Sequence, residues 1–153
     1  MDFSLNAEQQ MLQETARRFA QTELPAHATD IENNNSPPNL VLRKRFAEMG
    51  FMGINLPSAY GGAGLGHFEA VLILEELAKI SVAVAFPVFE ASFGPALAIA
   101  HFAPKALQQR ILPQVCSGEM VVAVSMSEPN AGTALTDLKT CLLYTSPSPR
   151  DRS

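Results

Sequence analysis

Cysteine is scarce here, with two in 153 residues, Cys116 and Cys141. A disulfide-stapled scaffold needs a far higher density. No Cys-x-x-Cys and no Cys/His ligand spacing occurs, so a bound metal such as zinc is not expected. A reducing cytoplasm is the plain reading. Basic charge is lacking too: the net charge is −4 at pH 7. No basic stripe interleaved with aromatics appears, so nucleic acid is not an expected partner. Met1–Asn6 opens polar, without the positive and apolar regions of an export signal. The glycine-rich stretch Gly61–Gly66 is not followed by Lys-Ser/Thr, which argues against a phosphate-cradling loop. His27, His67 and His101 lack partners at ligand or triad spacing and read as structural. Internal repeats of solenoid length are absent.

Apolar residues are plentiful, at 47% of the chain, enough for a real core. A first helix is expected from Asn6, with Asn6 and Gln9 forming a capping box. Leu12, Ala16 and Phe19 fall on its apolar face, with Gln13, Glu14, Arg17 and Arg18 largely opposite. Pro25 is expected to interrupt or kink it before it ends near Ile31. Asn33–Pro37 reads as a loop. A second helix is expected over Pro38–Met49, with Leu42, Phe46 and Met49 inward, Gly50 as a left-handed cap and Phe51 covering the last turn.

Four glycines in six residues rule out a helix over Gly61–Gly66 and suggest a flexible loop. A third helix is expected over His67–Ile80. Phe68, Val71, Leu72, Leu74 and Ala78 should be mostly inward, Glu75 should pair with Lys79, and Glu75 and Glu76 should be solvated. Between Ile80 and Phe102 the only formal charge is Glu90, so the stretch is long enough to span a bilayer. Pro87, Glu90, Gly94 and Pro95 argue against a span. A buried helix bent at Gly94-Pro95 is expected instead. A last helix should start at Pro104 and end before Ser117-Gly118. Cys116, near that helix end, is expected to be inert.

Then the pattern changes. Met120–Met126 is short, β-branched and bounded by turn residues, and reads as a buried strand. A lone strand cannot satisfy its own backbone groups. Glu128–Gly132 reads as a tight loop. Cys141–Ser153, rich in Ser, Pro and Arg, reads as disordered.

Four segments in order resemble the acyl-CoA dehydrogenase family. They are the opening helix Phe3–Phe19, the Pro57-x-x-Tyr60-Gly61-Gly62-x-Gly64-Leu65-Gly66 segment, the Glu75-Glu76-Leu77-Ala78 helix, and Ser127-Glu128-Pro129-Asn130-Ala131-Gly132-Thr133. The resemblance covers about residues 2–140. It implies a mainly α chain: an N-terminal α-helical domain over 1–117, the first strand of a truncated middle β-barrel domain over 118–140, and an unrelated tail over 141–153. The tail looks like translated sequencing-adapter read-through joined to an incomplete gene.

For the longer parent, the resemblance implies FAD-dependent α,β-dehydrogenation of acyl-CoA thioesters in fatty acid metabolism. An electron-transfer acceptor and a homo-oligomer, tetramer or dimer, are implied with it. Val124, Met126, Ser127, Gly132 and Thr133 are the implied flavin-binding residues, and Thr133 also meets acyl-CoA. Ala134 departs from the Asp usual at its position. The catalytic carboxylate of the family lies in the C-terminal bundle, so none is expected here and the chain should be inactive alone. One reading the resemblance implies has Glu90 lining the acyl cavity; a surface or paired carboxylate is the simpler one. An acyl-CoA oxidase-like flavoprotein and a non-enzymatic helical interaction module are the alternatives.

Overall fold

The computed structural model describes residues 4–139. Two compact units divide the chain, Met1–Ala123 and Val124–Ser153. Six α-helices occur among the described residues: α1 Ala7–Asn34, α2 Leu40–Glu48, α3 His67–Ala78, α4 Val82–Ser92, α5 Pro95–Phe102 and α6 Lys105–Cys116. The expected mainly helical class is found.

Local chemistry explains the helix ends. Asn6 accepts from the Gln9 backbone N–H at 2.8 Å while the Gln9 side chain accepts from the Asn6 N–H at 3.2 Å, which is the expected capping box. Helix α1 then runs past the expected end near Ile31 and is not interrupted at Pro25. Proline removes the bond to the Gln21 carbonyl, but buried Ala16, Phe19, Ala20 and Leu24 hold the preceding turns to the core. Asn35, at φ 47°, closes the helix in the left-handed region. Asn39 rather than Pro38 opens α2, its side chain accepting from Leu42 N–H at 2.9 Å. Gly50 adopts the expected left-handed φ of 73°, and the Phe51 N–H returns to the Phe46 carbonyl at 2.8 Å.

The core gathers on α1. Phe19 meets Phe46 at 5.7 Å and Phe51 edge-on at 5.6 Å between ring centroids. Leu42, Ile54, Ile73, Leu77, Val84, Val88 and Leu112 are fully enclosed around them. Each contributes on the order of 1.5–3 kcal/mol by leaving water. Helix α3 packs on α1 and α4, and α4 carries the chain on through α5 to α6. The apolar stretch Val82–Phe102 is long and apolar enough to cross a membrane by length and composition. It is broken between Ser92 and Pro95. Val84, Ala85, Val88 and Ala91 bury one side of its first half.

Three expectations change. The inward face of α3 is Ala70, Ile73 and Leu77, with Leu72 and Glu76 beside them, whereas Phe68 and Val71 are exposed. Glu76 is buried, not solvated. The Gly-rich segment is a hydrogen-bonded knot: Ala63 N–H reaches Gly53 O at 3.2 Å, Gly64 N–H reaches Leu56 O at 3.0 Å and Leu65 N–H reaches Ile54 O at 2.9 Å. A Cβ on Gly62 would sit 2.2 Å from the Leu56 carbonyl oxygen, so only glycine fits. The Tyr60 hydroxyl hydrogen-bonds Oε1 of the buried Gln108 at 2.9 Å and ties this knot to α6.

Candidate functional site

The segment of interest leaves α6 at Gly118. That residue has φ 74°, and a Cβ there would meet the Arg43 carbonyl oxygen at 2.6 Å. Arg43 Nε donates to Gly118 O at 3.0 Å, and Met120 N–H bonds Gln114 O at 3.0 Å. Beyond that anchor the backbone of Val121–Ser127 makes no backbone–backbone hydrogen bond among the described residues. No strand ladder forms there, and Val121, Val124 and Met126 are 46%, 56% and 49% exposed. The buried strand expected over Met120–Met126 is therefore not found. The physical reason is the one the sequence raises: a strand needs a neighbour to pair with and cover it, and the described residues supply none.

In the second unit, Glu128 and Ala131 exchange backbone hydrogen bonds at 2.9 and 3.1 Å around Pro129-Asn130, the expected tight loop. The Glu128 carboxylate accepts from Lys139 N–H at 3.0 and 3.2 Å and holds Lys139 close to this turn. Sequence reading passed over this role of Glu128, because its partner is a backbone group with no residue signature. Thr133 O accepts from Leu135 N–H at 3.0 Å, and a 3-10 turn, Leu135–Asp137, follows. Ala134 precedes that turn without a capping side chain.

All five residues implied for flavin, Val124, Met126, Ser127, Gly132 and Thr133, lie in this unit and are exposed. Among the described residues of the unit, a recess is lined by Glu128, Pro129, Asn130, Asp137 and Lys139. Gly132 has open space where a side chain would stand. A flavin offers a flat apolar ring with donors and acceptors along one edge. Unpaired backbone groups, apolar Val124 and Met126, the hydroxyls of Ser127 and Thr133 and the bare Gly132 backbone suit one wall of such a ring. The chemistry of the segment thus fits the group, and on one side alone.

The titratable groups of the helical unit do other work. Burial pushes the Glu76 carboxyl up, but Arg17 and Lys79 outweigh burial and hold it below the usual carboxylate range. Arg17 Nη2 and Nε lie 3.2 and 3.3 Å from its two oxygens, and Lys79 Nζ lies 2.9 Å away. Lys79 also pairs with Glu75 at 3.3 Å, as expected. Glu90 is half-buried in a narrow crevice beside Met52, Pro87, Val115 and Met120–Val122, and burial raises its pKa. It is not ion-paired among the described residues. Cys116 is buried, and burial lifts its thiol to about 11, consistent with an inert residue. Helix α3 begins at His67, whose ring packs edge-on to Phe93 at 5.8 Å.

The sequence profile described as Acyl-CoA dehydrogenase, N-terminal domain, matches residues 6–119. Isovaleryl-CoA dehydrogenase, mitochondrial, from Bos taurus is 36% identical over 136 residues, which is 88% of this chain and 32% of that protein. The glutaryl-coenzyme A dehydrogenase glutaryl-CoA complex superposes with a TM-score of 0.81 at 31% identity, covering 90% of this chain and 35% of that one. The FAD complex of PigA gives a TM-score of 0.80 at 26% identity, covering 91% of this chain and 37% of that one. The chain spans about a third of the length of the curated relatives it matches.

Proposed function

Because this chain belongs to the acyl-CoA dehydrogenase family, we propose that it is the front third of a flavin-dependent enzyme that oxidises an acyl-CoA thioester between Cα and Cβ. In this reading residues 1–117 form the helical domain and 118–140 open the β domain. The observation that carries it is the segment Val121–Ser127, exposed at Val121, Val124 and Met126 and without backbone–backbone hydrogen bonds among the described residues, which follows directly on the domain matched over residues 6–119.

Backbone groups of Val124–Ser127 would meet the polar edge of the ring, and Val124 and Met126 its apolar surface. Ser127 and Thr133 would offer hydroxyls, with Thr133 also reaching the acyl-CoA. Gly132 leaves the backbone open to close approach. When bound, FAD supplies the hydride acceptor for the oxidation. Glu76 is committed to Arg17 and Lys79, and Glu128 to the Lys139 backbone, so neither is free to take the α-proton. The carboxylate base would come from the part of the relatives beyond the matched third. An electron-transfer acceptor, a homo-oligomeric parent and a cytoplasmic location complete the proposal.

The test is spectroscopic. A longer form of the chain, carrying the remaining two thirds that the relatives have, should purify with flavin absorbance that bleaches on adding an acyl-CoA. The 153-residue chain should show no turnover and bind FAD weakly or not at all. A longer form without flavin absorbance, even after reconstitution with FAD, would overturn the reading.

A further inference from the structure

The chain leaves α6 through a glycine, the residue least restrained by its own sterics. Gly118 is required there: its φ is 74°, and a Cβ would sit 2.6 Å from the Arg43 carbonyl oxygen and 2.8 Å from the carbonyl carbon. The same residue makes the exit soft. Val124 lies six residues further on. That is up to about 20 Å of extended chain, so a turn of about 10° at Gly118 displaces the far end by about 3 Å. A binding wall has to be held to within about 0.5 Å. Something other than Gly118 must fix the exit.

Two neighbours do so. Cys116 packs against the Gly-rich knot: a Cβ on Gly53 would meet its Sγ at 2.8 Å, and one on Gly61 its Cβ at 3.4 Å. Arg43 holds Gly118 itself. Its Nε donates to Gly118 O at 3.0 Å and its Nη1 donates to Pro38 O at 3.0 Å. The planar fork thus ties the end of α6 to the approach of α2. Arg43 pairs with no carboxylate among the described residues, whereas Lys44 takes Glu119 and Arg45 takes Glu23 and Glu48. Helix α2 is fastened in turn. Leu42 and Phe46 are buried, and Arg45 donates to both oxygens of Glu23 on α1 at 2.7 and 3.0 Å. Arg43 therefore passes the placement of α1 and α2 on to the exit.

We propose that Arg43 is a positioning residue for the flavin-facing segment, holding the Gly118 carbonyl so that Val121–Ser127 starts from one point and in one direction. This role rests on the flavin reading given above, and in it Arg43 acts only through Gly118. The demand is for arginine. Lysine keeps the charge but carries a single ammonium on a flexible stem, which cannot hold two carbonyls in a fixed fork. The Lys44–Glu119 contact, 3.7 Å between side chains 51% and 57% exposed, adds little to the hold.

Two measurements test this. In the 153-residue chain, amide hydrogen exchange at Met120, whose N–H bonds Gln114 O at 3.0 Å, should speed up about 10-fold in Arg43→Lys and Arg43→Met. Lys44→Met should leave it unchanged. Amides of α1 and α3 should exchange as in the wild type in all three variants. In the longer form that tests the function, Arg43→Lys should bind FAD about 10-fold more weakly at an unchanged Tm, because a wall no longer pre-set must be ordered on binding. Wild-type exchange at Met120 in both Arg43 variants, or an acceleration shared equally by α1 and α3, would overturn the proposal. So would an Arg43→Lys longer form that binds FAD as tightly as the wild type with the same visible spectrum, and that result would leave the flavin reading standing. A wild-type longer form without flavin would overturn the reading and this role together.

Discussion

Replacing Glu76 by Gln should destabilise the helical unit by about 2 kcal/mol, and the wild-type advantage should vanish in acid. The carboxylate is 3% exposed and accepts three contacts, two from Arg17 and one from Lys79. Hydrogen bonds to charged groups contribute about 1.5–3 kcal/mol each, against about 0.5–1.5 for neutral ones. Gln keeps one acceptor oxygen and loses the charge. A fully enclosed pair broken on one side costs about 3–5 kcal/mol. That limit is not reached, because Arg17 and Lys79 are 40% and 52% exposed and regain water. For a unit of this size 2 kcal/mol corresponds to a Tm lower by roughly 5–12 °C. Arg17→Met should cost more than Glu76→Gln, because it leaves the buried charge with Lys79 alone. Arg17→Met with Glu76→Leu should recover most of that loss, since the uncompensated charge goes with it. The sign with pH follows from the lowered carboxyl. Its contribution is fully present above the ordinary value of 4.5 and is lost as pH falls through the lowered folded value. Urea unfolding of the three variants at pH 7 and pH 3.5 measures this. An Arg17→Met penalty smaller than that of Glu76→Gln, or a double variant no more stable than Arg17→Met alone, would refute the reasoning.

Two more outcomes probe the rest of the chain. Gly62→Ala should cost about 3 kcal/mol or more, because the atoms its Cβ meets at 2.2, 2.6 and 2.8 Å are all backbone and cannot swing aside; Gly132→Ala, with nothing within 4 Å, should leave Tm unchanged, and equal shifts in a thermal melt would argue against the knot. Cys116 should resist alkylation at pH 8 until the chain is unfolded, its thiol lifted to about 11 by burial; peptide mapping that finds it labelled within minutes in the native state would contradict that.

What was legible in the sequence was local. Asn6 with Gln9, Gly50 with Phe51, and Pro104 with Ser117-Gly118 each announce a helix end through neighbours a few residues away, and each end is found at or beside its expected position. Pro25 does not interrupt α1, because propensity speaks for one turn, while the enclosed residues on both α1 and its neighbours speak for the whole helix. Glu76 was illegible for a related reason: Arg17, which justifies burying it, lies 59 residues away. The Gly-rich segment looked mobile because composition reports conformational freedom and is silent on the carbonyls of Gly53 and Leu56 that consume it. The order of the motifs carried the family, and the fold agrees with it. Their chemistry was only half readable, since Val124, Met126, Ser127, Gly132 and Thr133 make one exposed wall, and a site also needs what faces it.

The remaining misreadings share a cause. Phe68 and Val71 read as inward, and Val124 and Met126 read as a buried strand, yet all four are exposed. Apolar spacing records which residues are shaped for burial; it does not record whether the covering surface belongs to the same stretch of chain. The relatives are about three times as long as the part matched here, so faces patterned for burial can have their partners in segments that the described residues do not include. For the Val121–Ser127 segment the missing partners must supply hydrogen bonds as well as cover, because its backbone groups are unpaired, and an apolar contact alone would leave them unsatisfied. The α3–α4 face makes no such demand. Its backbone is already satisfied within its helices, so an apolar surface alone can close it. That difference in hydrogen-bonding need is why an apolar surface is enough to close the helical face, while the Val121–Ser127 segment needs a ring edge or a neighbouring strand.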